Sequence, residues 1–137
     1  MSLRPTAAAL ALQAALTEAF AADATLAGLV RGRIHDGPAR ATVVPYLAFA
    51  GMRSRDFSSG DGGGARVFLT LEAVTGDGDR TRALVILDAA LAVATDPALA
   101  ITGGRLVLLT VTATEVERLK AGDRWRARAT IEALVDG

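Results

Sequence analysis

The stretch that most constrains the fold is residues 124–135, Arg-Trp-Arg-Ala-Arg-Ala-Thr-Ile-Glu-Ala-Leu-Val. Trp125, Ala127, Ala129, Ile131, Ala133 and Val135 alternate with Arg124, Arg126, Arg128, Thr130 and Glu132, and Leu134 alone breaks the pattern. Successive side chains on a strand point to opposite faces, so the alternation predicts a strand with one dry and one wet face. Burying Trp125, Ile131 and Val135 contributes roughly 1.5–3 kcal/mol each. A one-residue slip would turn three arginines into the core, so the register is strongly specified. Such a strand needs neighbours, which the rest of the chain must supply.

Pro5 to Ala22 predicts a helix, with Ala9, Leu12, Leu16, Ala19 and Phe20 on one stripe and Pro5 in the first turn. Asp23 is placed to cap a short helix, Ala24 to Val30, that buries Leu26, Leu29 and Val30 and stops at Gly32. A short extended piece can form around Ile34. The first long strand, Tyr46 to Met52 with a more polar extension to Arg55, is apolar on both sides at its start, as a central strand would be. The glycine-rich run Ser58 to Gly64 then joins it to a second strand, Ala65 to Thr75, with Val67, Leu69, Leu71 and Ala73 on one face and Arg66, Thr70 and Glu72 on the other. Gly76 to Asp79 reads as a turn, with either aspartate a candidate cap. A third helix follows, Thr81 to Ala94, with one stripe of Leu84, Leu87 and Leu91 and a second of Ile86, Ala90 and Val93. Asp96-Pro97 ends it. Arg105 to Val116 is a strand with Val107, Leu109, Val111 and Ala113 inward, turned by residues 121–123 into the final strand.

Strands that cluster as hairpins, instead of alternating singly with helices, predict an α+β fold: a mainly antiparallel sheet of about four strands in two hairpins, with helices on one face. No repeat or linker divides the chain, so residues 1–137 are read as a single domain.

Composition bounds the function. Hydrophobic residues make up 51% of the chain, with 14 glycines besides, and 15 basic residues balance 15 acidic ones. An apolar-rich chain without net charge tends to self-associate, which hints at subunit interfaces. Without cysteine there are no disulfides and no thiolate metal sites. No run approaches the ~20 apolar residues of a membrane span. The alanine-rich N-terminal segment is interrupted by Gln13, Thr17 and Glu18 at helical spacing, which argues against a signal peptide.

No catalytic set emerges. His35, the single histidine, has Asp36 beside it, but neighbours on an extended chain point apart. Ser58 and Ser59 lie in a glycine-rich loop without a nucleophile elbow. Gly60 to Ala65 fits a loose dinucleotide-binding string, yet a strand follows it where that fingerprint needs a helix. Asp77, Asp79 and Asp88 have calcium-loop spacing, but Arg82 stands where the loop needs glycine. Arg124, Arg126 and Arg128 project from one face, with Arg66 a candidate neighbour. They form either a phosphate-binding stripe or a face paired across strands with Glu72, Glu117 or Glu132. The expectation is a protein that is not an enzyme and holds no cofactor or metal.

The order of pieces resembles a family of small tail-completion proteins, the tail terminators of long-tailed phages and gene transfer agents. The resemblance rests on the N-terminal helix and on Asp23-x-x-Leu26-x-x-Leu29-Val30-x-Gly32-Arg33-Ile34-x-Asp36. Pro45-Tyr46-Leu47-Ala48-Phe49, the strand near Val67 to Val74 and Leu87-x-x-Ala90-Leu91 continue it. The closing hairpin with Arg118, Gly122 and the final strand completes it. The resemblance implies a ring, usually of six subunits, that caps the head-proximal end of the tail tube. Its partners would be copies of itself, the major tail tube protein and the head–tail connector, with DNA passing through the lumen without sequence specificity. The protein would be found in the bacterial cytoplasm during assembly and then at the head–tail junction of the particle. A stopper-type connector role and a nucleic-acid-binding module using the arginine stripe are the alternatives. Contacts are expected from the loop 54–65 and the arginine face, through Arg55, Phe57, Arg66, Arg124, Arg126 and Arg128.

Overall fold

A computed structural model describes residues 4–37, 43–57, 63–76, 78–120 and 123–136. The elements are α1 (Pro5–Ala22), α2 (Ala24–Val30), β1 (Ile34–Asp36), β2 (Tyr46–Asp56), β3 (Gly64–Gly76), α3 (Arg80–Ala94), β4 (Arg105–Arg118) and β5 (Arg124–Asp136). The strands form one sheet in the order β1-β2-β3-β5-β4, antiparallel except for β1, which runs parallel to β2. The fold is thus α+β. The sheet has five strands where the sequence suggested about four, because Ile34 to Asp36 does join the edge.

Helix α1 begins at Pro5, whose missing N–H costs nothing in a first turn, and it buries Ala8, Ala9, Leu12, Leu16 and Phe20. Phe20 stacks on Phe49 of β2 with ring centroids 5.9 Å apart. Asp23 caps α2, its Oδ1 accepting from the Leu26 N–H at 2.9 Å. Beyond α2, Arg31 and Gly32 both take positive φ (52° and 73°), and Gly32 N–H donates back to the Ala27 carbonyl, closing the helix end. Arg33 then ties β1 to the entrance of β2 by donating from Nε to the Pro45 carbonyl at 2.9 Å.

Strand β5 alternates as its sequence requires: Ala127, Ala129, Ile131, Ala133 and Val135 are buried, and Trp125 is half-buried against the same core. Opposite them on β3 lie Ala73, Leu71, Leu69, Val67 and Ala65. Tyr46, Leu47, Ala48 and Phe49 of β2 are all buried, in keeping with a central strand covered on both sides. Gly64 lets the backbone come close at the mouth of the β2–β3 hairpin, where a Cβ would make a tight 3.3 Å approach to the Val135 carbonyl oxygen.

Two expectations are corrected. The buried face of α3 is Ala83, Ile86, Leu87, Ala90 and Ala94, whereas Leu84 is 41% exposed. The apolar surface of this helix is wide, and the sheet takes the stripe one position round from Leu84. In β4, Val107 and Ala113 point outward, Leu106, Leu109 and Val116 pack on the core, and Val111 is half-buried opposite Ile131. Register shifts between Leu106/Leu108 and Val111/Ala113 insert one extra residue each and reverse the alternation. Asp79 stands at the N-cap of α3 but its side chain makes no capping bond. Residues 58–62 and 77, which carry the loop serines, most of the glycine run and Asp77, lie outside the described residues.

Candidate functional site: the helix-free face of the sheet

The helices cover one face of the sheet, and the arginines and glutamates singled out on its strands, Arg55, Arg66, Glu72, Arg126, Arg128, Glu117 and Glu132, lie on the other. Its rows follow from the pairing. Arg55 faces Arg66 and, beyond it, Leu134. Arg53 faces Phe68 and Glu132. Glu72 faces Arg128 and then Glu115, and Val74 faces Arg126 and then Glu117. Glu72 is six steps along β3 from Arg66, about 20 Å. The face therefore has two ends with different chemistry.

At the first end the charges cancel. Glu72 is 7% exposed, and its Oε1 lies 2.6 Å from Arg128 Nη2 and 3.4 Å from Arg126 Nη1. Arg128 also reaches Glu115 at 3.7 Å, and Arg126 is bonded to Glu117. That bond and the adjoining charge hold the Glu117 carboxyl below its ordinary range. A shallow groove of about 520 Å³ runs over this network. Next to it Tyr46, Ala48 and Val74 form a small second core with Val44 and Leu119. Burial, helped by the Glu72 charge, raises the Tyr46 phenol, with Arg124 and Arg126 acting in the opposite sense.

At the other end, where β2 and β3 run toward the loop that joins them, arginines gather on aromatic rings. The Arg53 guanidinium sits 4.5 Å from the Phe68 centroid and that of Arg55 5.8 Å from it, and Arg66 sits 4.5 Å from the Phe57 centroid. Phe57 remains 48% exposed. Glu132 lies 3.1 Å from Arg66 Nε, and Asp56 stands between Arg55 and Phe57 in the strand. The structure thus brings Arg55, Phe57 and Arg66 together, and it places Arg126 and Arg128 apart from them, with Arg124 at the start of β5 opposite Gly76. Sequence reading missed Arg53 and Phe68, which join this group only once the hairpin register is known, although Phe68 was visible as a break in the β3 alternation.

The stripe reading is weakened by this arrangement. A guanidinium bonded to a carboxylate must give up that bond to take a phosphate. His35 lies beside the Tyr46 ring, centroids 5.2 Å apart, with Asp36 exposed at the sheet edge. Among the described residues, no three His, Asp or Glu side chains converge to hold a metal, and no helix is long and apolar enough to cross a membrane.

The fold is a two-layer α+β arrangement with charged and aromatic residues gathered on the open face of its sheet. Residues 14–136 match the model of the family described as tail completion protein gp17, and the chain belongs to that family. It is a structural protein of the phage or gene-transfer-agent tail. Among solved structures it is similar to a chain of the virion of a native gene transfer agent (GTA) particle. The TM-score is 0.83 at 28% identity, covering 94% of this chain and 97% of that one. Comparison with curated proteins gave no match.

Proposed function

We propose that the protein closes a ring of identical subunits, six by the family resemblance, that caps the head-proximal end of the tail tube and joins it to the head connector. The observation that carries this reading is the near end-to-end likeness to a chain of a gene transfer agent virion, together with family membership over residues 14–136. Two features of the chain support it. An apolar composition without net charge favours self-association, and the open faces offer broad contact surfaces rather than a cleft. On this reading the ring assembles in the bacterial cytoplasm and remains at the head–tail junction, binding the tube protein on one side and the connector on the other. DNA passes through its lumen, and no substrate is transformed.

The test is electron microscopy of particles made without the protein. Tubes of uncontrolled length and heads without attached tails are expected, and complementation should restore both length and joining. Tails of normal length, joined to heads in its absence, would overturn the proposal.

A further inference from the structure

Strand β4 is an edge of the sheet, and among the described residues it pairs only with β5. None of its residues is buried. Val107 and Leu108 are 52% and 53% exposed, and no charge interrupts the strand from Leu106 to Thr114. A long apolar edge offers its outward N–H and C=O groups to any matching strand, and folds that leave one open blunt it with charge or proline. Between Leu106 and Thr114 there is neither. The two bulges set how a partner strand can fit. They place Arg105, Leu108, Thr110, Ala113 and Glu115 on the helix-free side, opposite the wet residues of β5. Leu106, Leu109, Val111 and Thr114 take the helix side, and Val107 and Thr112 are the extra residues. Outside the bulges this order of sides reads the same in both directions from Thr110.

We infer that two free copies pair edge to edge through β4, antiparallel about a two-fold axis at Thr110, so that their sheets run on as one. Thr110 then faces Thr110 of the other copy, Leu109 faces Val111, and Leu106 faces Thr114. The bulges also meet across the axis, Val107 opposite Ala113 and Leu108 opposite Thr112. Each Arg105 lies opposite the other copy's Glu115, so opposite charges close both ends of an uncharged stretch. A shift of one residue would set helix-side positions against helix-free ones. Arg105 already bonds to Asp136, and Glu115 lies 3.7 Å from Arg128, yet both side chains are exposed, 74% and 61%, and have room for a second partner. Glu132, beside Thr110 on β5, is held by Arg66, and Glu117 and Arg118 lie beyond the paired stretch. The occupant is a second β4 because the other described edge does not match it. Strand β1 has three residues, and β2 beyond it carries Arg53, Arg55 and Asp56. A two-fold contact stops at two subunits, unlike the head-to-tail contact of a ring. The pairing therefore goes beyond the ring reading: it belongs to the free protein and covers the edge before assembly.

The chain has no cysteine, so a single introduced thiol reports the pairing. Thr110→Cys in the full chain is expected to form a covalent dimer under mild oxidation, since directly opposed residues of antiparallel strands lie within disulfide reach. Thr114→Cys would stand about 26 Å from its counterpart along the strands and should stay reduced. Both positions are exposed, and thermal unfolding shows that each variant is folded. Sedimentation over a range of concentrations should show a dimer, weakened about tenfold or more in Glu115→Arg, which sets like charges against each other. The double variant Arg105→Glu/Glu115→Arg should recover it. A wild type that sediments as a monomer at every concentration would overturn the pairing and leave the ring reading standing. So would equal cross-linking of Thr110→Cys and Thr114→Cys, a double variant as weak as Glu115→Arg, or rings in solution whose Thr110→Cys form does not cross-link. The ring reading fails separately, on particles that keep normal joined tails without the protein.

Discussion

Glu72 of β3 stands directly opposite Arg128 of β5, and its Oε1 lies 2.6 Å from the arginine Nη2. The carboxylate is almost fully buried and also serves Arg126, so a single acidic group holds two guanidiniums on the helix-free face. Replacing it by alanine takes the buried partner from two partly buried cations and leaves them only the exposed Glu117 and Glu115. Glu72→Ala is expected to cost about 2 kcal/mol, the range for losing hydrogen bonds to charged groups. In a domain of this size that corresponds to roughly 8 °C in Tm. Glu117 also meets Arg126, but from an exposed position, 48% accessible, where solvent replaces the bond. Glu117→Ala should leave the midpoint unchanged. Thermal unfolding of the two variants checks the contrast, and equal losses would contradict the role given to burial.

Tyr46 lies against the same network, and its phenol is raised above the ordinary value of 10.0 by burial and by the Glu72 charge. A raised value means that the folded state favours the neutral phenol. The stability this gives is present below pH 10.0 and is lost as pH rises through the folded value. Urea midpoints taken upward through that range should fall in wild type, and the fall should be shallower in Tyr46→Phe. An identical alkaline decline in both proteins would rule out Tyr46 as its source.

Two exposed carboxyls titrate in the other direction. Arg105 bonds to Asp136, with Nη2 2.8 Å from Oδ2, and Arg126 bonds to Glu117, lowering both carboxyls from their ordinary 3.8 and 4.5. Depressed acids stabilise the fold above those ordinary values, and the contribution is lost as pH falls through the folded ones. Carboxyl NMR titrations should show Asp136 move up in Arg105→Ala and Glu117 move up in Arg126→Ala. High salt should shrink both shifts, since the groups face solvent.

What the sequence revealed depended on how strongly each piece constrains itself. The α1 and α2 boundaries were legible because Pro5, Asp23 and Gly32 act locally through φ preference and side-chain caps. The β5 register was legible because an error would bury arginine. Strand β4 was not, because an edge strand has one neighbour and tolerates bulges, and its two register shifts moved Val107 and Ala113 outward. Strand β1 has three residues and exists through its pairing with β2, which no local pattern encodes. The cluster of arginines on Phe68 and Phe57 depends on the same kind of information. Arg53 meets Phe68, and Arg55 faces Arg66, only through the β2–β3 register, which includes a shift between Phe49 and Gly51.

The corrected face of α3 can be tested against the core of α1. Phe20 is fully buried and stacks on Phe49, so Phe20→Ala should cost about 3–5 kcal/mol. Leu84, at 41% exposure, should lose no more than about 0.5 kcal/mol on replacement by alanine. Urea unfolding measures both. A Leu84→Ala loss approaching that of Phe20→Ala would return Leu84 to the core face.

Arg126 and Arg128 are committed to carboxylates, so any DNA retained by the protein at low salt should not depend on them. If each instead bound a phosphate, removing both would reduce the slope of log K against log salt by about 1.8 for duplex DNA. For Arg126→Ala/Arg128→Ala the expected result is a slope and affinity within error of wild type, measured by gel shift at several salt concentrations. The assay should be run well below the lowered unfolding midpoint, since Glu72 loses its partners in this variant. A slope that falls by that amount would show that these guanidiniums leave Glu72, Glu115 and Glu117 for phosphate, and that the first end of the face is a nucleic-acid surface after all.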